Sequence, residues 1–484
     1  MKTQNKIVLI NTPLKFNEYK FTSIQFPLNL GYLSSYVKQY GYECAMWDYA
    51  AEPYDAAGFA QRVIDAAPPI IGFSCITPNI GNGHEMARII KEIRPETTII
   101  VGGPHCTALP ARTLEEFPNF DAVVTCEGEE TFLEVCGAVD IGLSFDGIAG
   151  TAHRSLGGDI VVEPTRPVPS DLDALPFPDR ELRPPGKYNK THPTKVVLRS
   201  GRQRVIEIIT IRGCPFDCFF CAGHGVFQHS TRMRSVENIT AEIDECRERY
   251  GLDFLLFQDD TFVLHKPRVE ALCAALAERK LSWSCNARAN IVDRKMLEMM
   301  ARSGCKKVAF GVESGSDDIL VQIDKHITTA QVKEAVRAAR EAGIPTVEGT
   351  IIIGGHPTET AEQLNETLRF IKQIDLDFFN ADVIVPFPGT PAYDEFKKRN
   401  LIAGEDWSKY VPYGGLPQWR TENFSAEELV NFQKLFMSRY YIRPKYILRQ
   451  IARIRSPRRL IYFFRMAFDY FQREFLRPPG SARN

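Results

Sequence analysis

Over residues 1–145, apolar residues gather in short runs separated by helix-spaced stretches. Lys6–Pro13, Tyr42–Ala50, Pro69–Thr77, Thr97–His105 and Phe120–Glu127 each have the length of a strand. Between them, Leu28–Tyr40 and Gly83–Ile93 repeat their apolar positions at helical spacing. This alternation predicts an α/β domain, a doubly wound parallel sheet with helices on both faces. Ligands of such sheets sit beyond the carboxyl ends of the strands. Those ends read Asn11-Thr12-Pro13, Ser74-Cys75-Ile76-Thr77, Gly102-Gly103-Pro104-His105 and Cys126-Glu127-Gly128-Glu129. They are small, polar and glycine-rich, which suits a backbone that a ligand must approach closely.

The pattern then breaks. Residues 146–198 concentrate Pro164, Pro167, Pro169, Pro176, Pro178, Pro184 and Pro185 with little periodicity, and read as a proline-rich connector. Residues 199–405 resume the alternation, with strands expected at Val205–Ile211, Phe254–Gln258, Leu281–Asn286, Lys307–Phe310, Thr346–Ile353 and Phe379–Val385. Six βα units fit a partial barrel, whose chemistry belongs at the carboxyl ends of its strands. Residues 406–484 form a third kind of region. From Arg439 onward, tyrosines and phenylalanines sit among arginines, as in basic amphipathic helices.

Composition narrows the function classes. A net charge of −1 over 484 residues gives no field that argues for nucleic acid. No apolar run reaches the roughly 18 residues that span a bilayer. The N-terminus shows no secretory pattern, so a cytoplasmic protein is expected, with its 12 cysteines mostly reduced.

The sharpest chemistry lies just after the first strand of the second domain, in Gly213-Cys214-Pro215-Phe216-Asp217-Cys218-Phe219-Phe220-Cys221. Three thiolates spaced x3 and x2 can ligate three corners of one compact iron–sulfur cluster, leaving one iron open to an outside ligand. A zinc site completed by His224 is the competing reading of the same spacing.

Cys214-x3-Cys218-x2-Cys221, with an aromatic before the last cysteine, resembles the signature of the radical S-adenosylmethionine (SAM) superfamily. The resemblance implies a [4Fe–4S] cluster on these cysteines, with the amino and carboxylate groups of SAM on the open iron. One electron would cleave SAM to methionine and a 5′-deoxyadenosyl radical. It implies that Phe220 flanks the adenine and that Gly311-Val312-Glu313-Ser314 reaches the ribose hydroxyls. Arg288 would pair with the SAM carboxylate, and Gly354-Gly355 in Gly354–Thr360 would line the adenosine pocket. From the residues themselves, Asp259 or Asp260 could help hold SAM or substrate. Thr358 with Glu359 could cap a helix, Ser235 reads as an N-cap, and Arg232 and Arg234 read as solvated.

Ahead of that barrel, the set Ser74, Thr77, Gly102, Gly103, Glu127 and Gly128 resembles the cobalamin-binding domain of the class that couples B12 to radical SAM chemistry. The Asp-x-His-x-x-Gly motif of many cobalamin proteins is missing after the first strand, so the resemblance implies a cobalt without a lower axial histidine. The implied reaction is methylation of an unactivated carbon of a small-molecule or lipid-like substrate, with methylcobalamin as donor. A low-potential electron donor such as flavodoxin or ferredoxin would be a partner. An anaerobic tetrapyrrole cyclase type of oxidoreductase is the alternative. The basic aromatic C-terminus suits peripheral membrane contact, an anionic substrate or docking onto its own barrel.

Overall fold

The computed structural model of the chain describes residues 6–14, 25–185, 188, 204–412 and 414–452. The expected runs condense into strands β1 (Lys6–Asn11), β2 (Glu43–Asp48), β3 (Ile70–Ser74), β4 (Thr98–Gly102) and β5 (Ala122–Val124), all parallel in the order 2-1-3-4-5. Their side chains are buried on both faces: Ile7 and Leu9 pack under one helical layer, Val8 and Ile10 under the other.

The sheet does not stop at residue 145. Residues 151–162, placed by sequence in the connector, add β6 (Thr151–Arg154) and β7 (Ile160–Val162) as an antiparallel edge. The rest of the connector is pinned rather than loose. Asp179 accepts from Ser34 and Lys38, and buried Arg180 bonds Glu242 of the barrel at 2.7 Å.

After β8 (Val205–Ile208) the chain makes a small hairpin, β9 (Ile211–Arg212) with β10 (Arg232–Met233), and then returns to the barrel. Strands β11 (Phe254–Phe257), β12 (Ser282–Ala287), β13 (Cys305–Glu313), β14 (Thr346–Ile353) and β15 (Phe378–Val383) follow β8 in one all-parallel sheet. One face of it is apolar and sealed by helices, with Leu255, Phe257, Trp283, Val308, Phe310, Val347 and Ile351 fully buried. The other face carries Gln258, Asn286, Thr350, Asn380 and Asp382, none of them buried. Closed barrels fill this face with branched aliphatics. Here the lumen is polar and open.

The helix Ala426–Tyr441 packs on β15, and the hydroxyls of Tyr440, Tyr441 and Tyr446 donate to the carbonyls of Leu376, Phe379 and Asp377. Up to residue 452 the aromatic, arginine-rich segment therefore docks onto its own barrel, although Ile447, Leu448 and Ile451 of the helix Pro444–Ala452 face outward. The remainder of that segment, 453–484, lies outside the described residues.

Candidate active site

The cysteine loop is closed at its base. Gly213 has φ +88°, and a Cβ there would overlap the carbonyl oxygen of Ser230, so the turn into Cys214 needs glycine. Asp259 is fully buried and fixes the approach to this turn. It accepts from the Thr210 amide at 2.6 Å, the Ile211 amide at 2.9 Å and the Thr210 hydroxyl at 2.5 Å. It is therefore a scaffold residue and not a ligand-facing carboxylate. Asp260 lies beside the loop, its carboxylate near Gly223.

The three sulfurs sit in graded surroundings. Cys218 is buried, and the Arg288 guanidinium donates to its sulfur at 3.4 Å. Cys221 accepts from the Gly223 amide at 3.4 Å, yet burial pushes its thiol up to about 11. Loading the site must therefore supply positive charge and release protons. Cys214 lies 3.8 Å from the Thr261 hydroxyl. Among the described residues, the groups whose ligand atoms all fall within 4.8 Å of one another are Asp217–His224–His229 and Asp146–His153–Glu163. The cysteines are not among them, and His224 turns to Asp217 and the Phe216 carbonyl. The donor set thus fits a multi-iron cluster held by three thiolates better than one tetrahedral ion completed by His224.

Around these sulfurs the barrel gathers charge. Arg288, at the end of β12, lies 3.7 Å over the Phe216 ring and donates to the Lys325 carbonyl. Lys325 in turn binds Glu313 at 2.7 Å and sits 5.7 Å from the Phe220 ring. Glu313 ends β13 with φ +61° and also accepts from Thr350 at 3.2 Å. Asp382 faces the same space, where burial first and Glu313 second lift its carboxyl to about 6. Cys218, Phe220, Arg288 and Glu313 therefore converge. Ser314 instead turns into the scaffold, its hydroxyl 3.0 Å from that of Thr367.

Gly354 and Gly355 follow β14, where the Gly355 amide donates to Glu359 at 3.0 Å. Glu359 is fully buried, one of its oxygens has no hydrogen-bond partner, and burial lifts its carboxyl to about 8. Thr360 with Gln363 forms the capping box of the next helix, so Thr358 and Glu359 are not its caps. Ser235 does cap its helix, accepting from the Asn238 amide at 3.1 Å. Arg232 and Arg234 are not solvated: both are buried and ion-paired, to Glu127 and Glu242. Lys325 and Asp382 escaped sequence reading. Lys325 lies in an aperiodic loop, whereas Asp382 had a usable signal in the alternating polar positions Asn380 and Asp382 of the last barrel strand.

The front domain turns its carboxyl rim toward this site: the Cys126 sulfur lies 3.6 Å from the Gly225 carbonyl, and Gly389 packs on Ala108. Gly103 has φ +120°, and a Cβ would collide with the Cys75 carbonyl, so this glycine lets two strand ends close on each other. Gly102 lies against the Val124 carbonyl and Gly128 against the Val124 side chain. Ser74 accepts from Asn29 at 2.7 Å. The Thr77 hydroxyl lies 3.3 Å from Nδ1 of His105, which is buried and held neutral, its pKa lowered to about 4 by burial. His105 also packs on Trp407 and is not free to reach a metal. Glu127 does not face an open cleft; its carboxylate is engaged by Arg212 and Arg232. This rim of small groups and backbone fits a large ligand held by shape.

A profile of the radical SAM superfamily matches residues 208–371, and a B12-binding-domain profile matches residues 19–136. An uncharacterised methyltransferase of Pyrococcus horikoshii is 32% identical over 88% of this chain and 90% of its own. The cytidylyl-2-hydroxyethylphosphonate methyltransferase of Streptomyces wedmorensis is 27% identical, with 83% of each chain covered. The anaerobic magnesium-protoporphyrin IX monomethyl ester cyclase of Rubrivivax gelatinosus is 27% identical over 86% of this chain and 74% of its own. Two solved structures share the fold. The radical SAM methyltransferase TsrM of Kitasatospora setae, with cobalamin and a [4Fe–4S] cluster bound, superposes with a TM-score of 0.68 at 18% identity over 82% of this chain and 78% of its own. The cobalamin-dependent radical SAM enzyme OxsB with aqua-cobalamin gives 0.71 at 18% identity over 96% of this chain and 71% of its own. The cysteine loop on a partial barrel, behind a front domain of this topology, matches these findings: the chain belongs to the radical SAM superfamily, in the branch that carries a B12-binding domain ahead of the barrel.

Proposed function

We propose that the protein is a cobalamin-dependent radical SAM methyltransferase that acts on an unactivated carbon of a polar small molecule. The observation that carries this reading is the convergence of three sulfurs with Arg288 and the Glu313–Lys325 pair at one rim, facing the front domain. Cys214, Cys218 and Cys221 would hold the cluster, and the Arg288 fork is placed to take a carboxylate beside it. Glu313, paired with Lys325 at 2.7 Å, can accept from hydroxyls, and Phe220 offers a flat apolar face. When bound, the cluster and SAM supply radical hydrogen abstraction, and cobalamin supplies the methyl group. A flavodoxin or ferredoxin would deliver the electron.

The polar lumen favours a small polar substrate over a lipid-like one, because Asn286, Asn380 and Asp382 would bury badly against hydrocarbon. The outward face of Ile447, Leu448 and Ile451 supports a separate peripheral membrane contact, which liposome flotation of the full chain tests. The cyclase reading rests on the Rubrivivax relative.

Anaerobically reconstituted protein should carry about four irons and bind one hydroxocobalamin. Turnover should yield methylated product with both S-adenosylhomocysteine and 5′-deoxyadenosine. A product with a new ring and no added methyl would support the cyclase instead. Four irons without bound cobalamin would sink the methylcobalamin mechanism and leave a radical SAM oxidoreductase.

A further inference from the structure

Where the two domains meet, four charged side chains are buried together. Glu127 and Glu129 follow β5 of the front domain; Arg212 and Arg232 are paired neighbours in the β9–β10 hairpin. Arg212 bonds Glu127 and Glu129 at 2.7 Å each, and Arg232 bonds both oxygens of Glu127. Arg232 also donates to the Pro169 carbonyl at 2.7 Å, and the Arg212 guanidinium lies 4.9 Å over the Tyr32 ring. Side-chain exposure across the four is 4–10%. The charges balance, two against two. Burial opposes ionisation of Glu129, yet Arg212 more than offsets it and holds that carboxyl below its ordinary range. Surface ion pairs contribute little, but an ionic group this deeply buried is fixed in geometry, because losing either partner strands a charge.

The placement is what matters. The β9–β10 hairpin is the neck of the segment 213–231, which contains Cys214, Cys218 and Cys221. Arg212 is two residues from Cys214, and the glycine between them admits no slack at Ser230. The carboxylates that hold this neck belong to the front domain and sit at the end of β5, on the rim where its ligand would lie. Gly225, inside the same segment, touches Cys126 beside them.

We propose that Glu127 is a positioning residue for the iron–sulfur cluster, the link through which occupancy of the front domain's ligand site is felt by the cluster. This rests on the two-cofactor reading above. A ligand that settles on the β5 rim shifts the end of that strand. Glu127 carries the shift to Arg212 and Arg232, and so moves the neck and the charge beside the cluster. By linkage the effect is reciprocal: cluster reduction alters ligand affinity at the front domain.

The test uses the full chain, reconstituted anaerobically, in wild type, Glu127→Gln and the charge-balanced pair Glu127→Leu with Arg232→Met. Iron and cobalamin are counted first. The midpoint potential and EPR spectrum of the reduced cluster are then recorded with and without hydroxocobalamin. The expected wild-type result is a change of both on corrinoid binding. Glu127→Gln, which leaves one arginine charge uncompensated, should raise the corrinoid-free midpoint and lose the corrinoid-induced change while keeping both cofactors. The paired variant keeps the charge balance and should lose only the induced change, so a folding failure of one variant leaves the other informative. A wild type whose cluster ignores bound corrinoid, or variants that respond as wild type does, overturns the link. A wild type with four irons and no bound cobalamin overturns the two-cofactor reading, while the midpoint of Glu127→Gln still reports whether Glu127 acts on the cluster.

Discussion

The front domain and the barrel are both parallel sheets with polar loops at their carboxyl rims, yet they use those rims in opposite ways. At the front rim nearly every polar side chain is spent on the fold itself: Thr77 on His105, Ser74 on Asn29, Glu127 on the two arginines. What remains for a ligand there is backbone and small surface. At the barrel rim, side chains from three strands gather beside the three sulfurs: Arg288 after β12, Glu313 on β13 and Asp382 on β15. The contrast follows from ligand size and chemistry. A large cofactor can be held by shape over many weak contacts, whereas a cluster and a charged sulfonium need fixed, oriented charge.

The sharpest way to break this contrast is at the barrel. Cys218→Ser should reduce iron well below about four per chain and abolish SAM cleavage, measured as 5′-deoxyadenosine. At the front rim the damage should be to stability instead. Gly103→Ala forces a Cβ into the Cys75 carbonyl at φ +120° and should cost roughly 2–4 kcal/mol in denaturant melts, with cluster content intact in the folded fraction.

Glu359 separates stability from chemistry within the barrel. Its carboxyl titrates near 8 when folded against a reference of 4.5, so the neutral form is the one the fold favours. Its contribution is fully present below the unfolded value and is lost as pH rises through the folded value. Wild type should therefore lose stability relative to Glu359→Gln between about pH 5 and 8, by on the order of 2–4 kcal/mol, read from paired melts. Next in size, Arg288→Met should weaken SAM binding roughly 10- to 100-fold by equilibrium dialysis, the range of one charge-assisted hydrogen bond. Smallest, Thr77→Val should cost about 1 kcal/mol and leave SAM affinity unchanged, since it strips one hydrogen bond from His105.

The strands were legible because each is a buried apolar run bounded by turn residues. β14 fell on its expected residues, Thr346–Ile353, and β1 ended two residues early, where Thr12 turns to Cys75. The hairpin β6–β7 was hidden by the prolines that follow it, which made its two short runs look like connector. The cysteine triad was legible because three thiols within eight residues leave a local trace. Lys325 left none, since its partner Glu313 lies across a strand end. Arg232 was misread for the same reason: its partner Glu127 is 105 residues away, and no local period marks an ion pair of that reach.

That distance also orders events during synthesis. Glu127 and Glu129 leave the ribosome long before Arg232, so the front domain completes its sheet with two acids turned toward a partner not yet made. Domains of multidomain chains tend to fold in this order. Until the hairpin arrives, those acids keep the unfinished face wet, discouraging contact between neighbouring nascent chains. Once it arrives, the same two residues close a buried seam with Arg212 and Arg232, beside the Gly213 turn that leads into the three thiols.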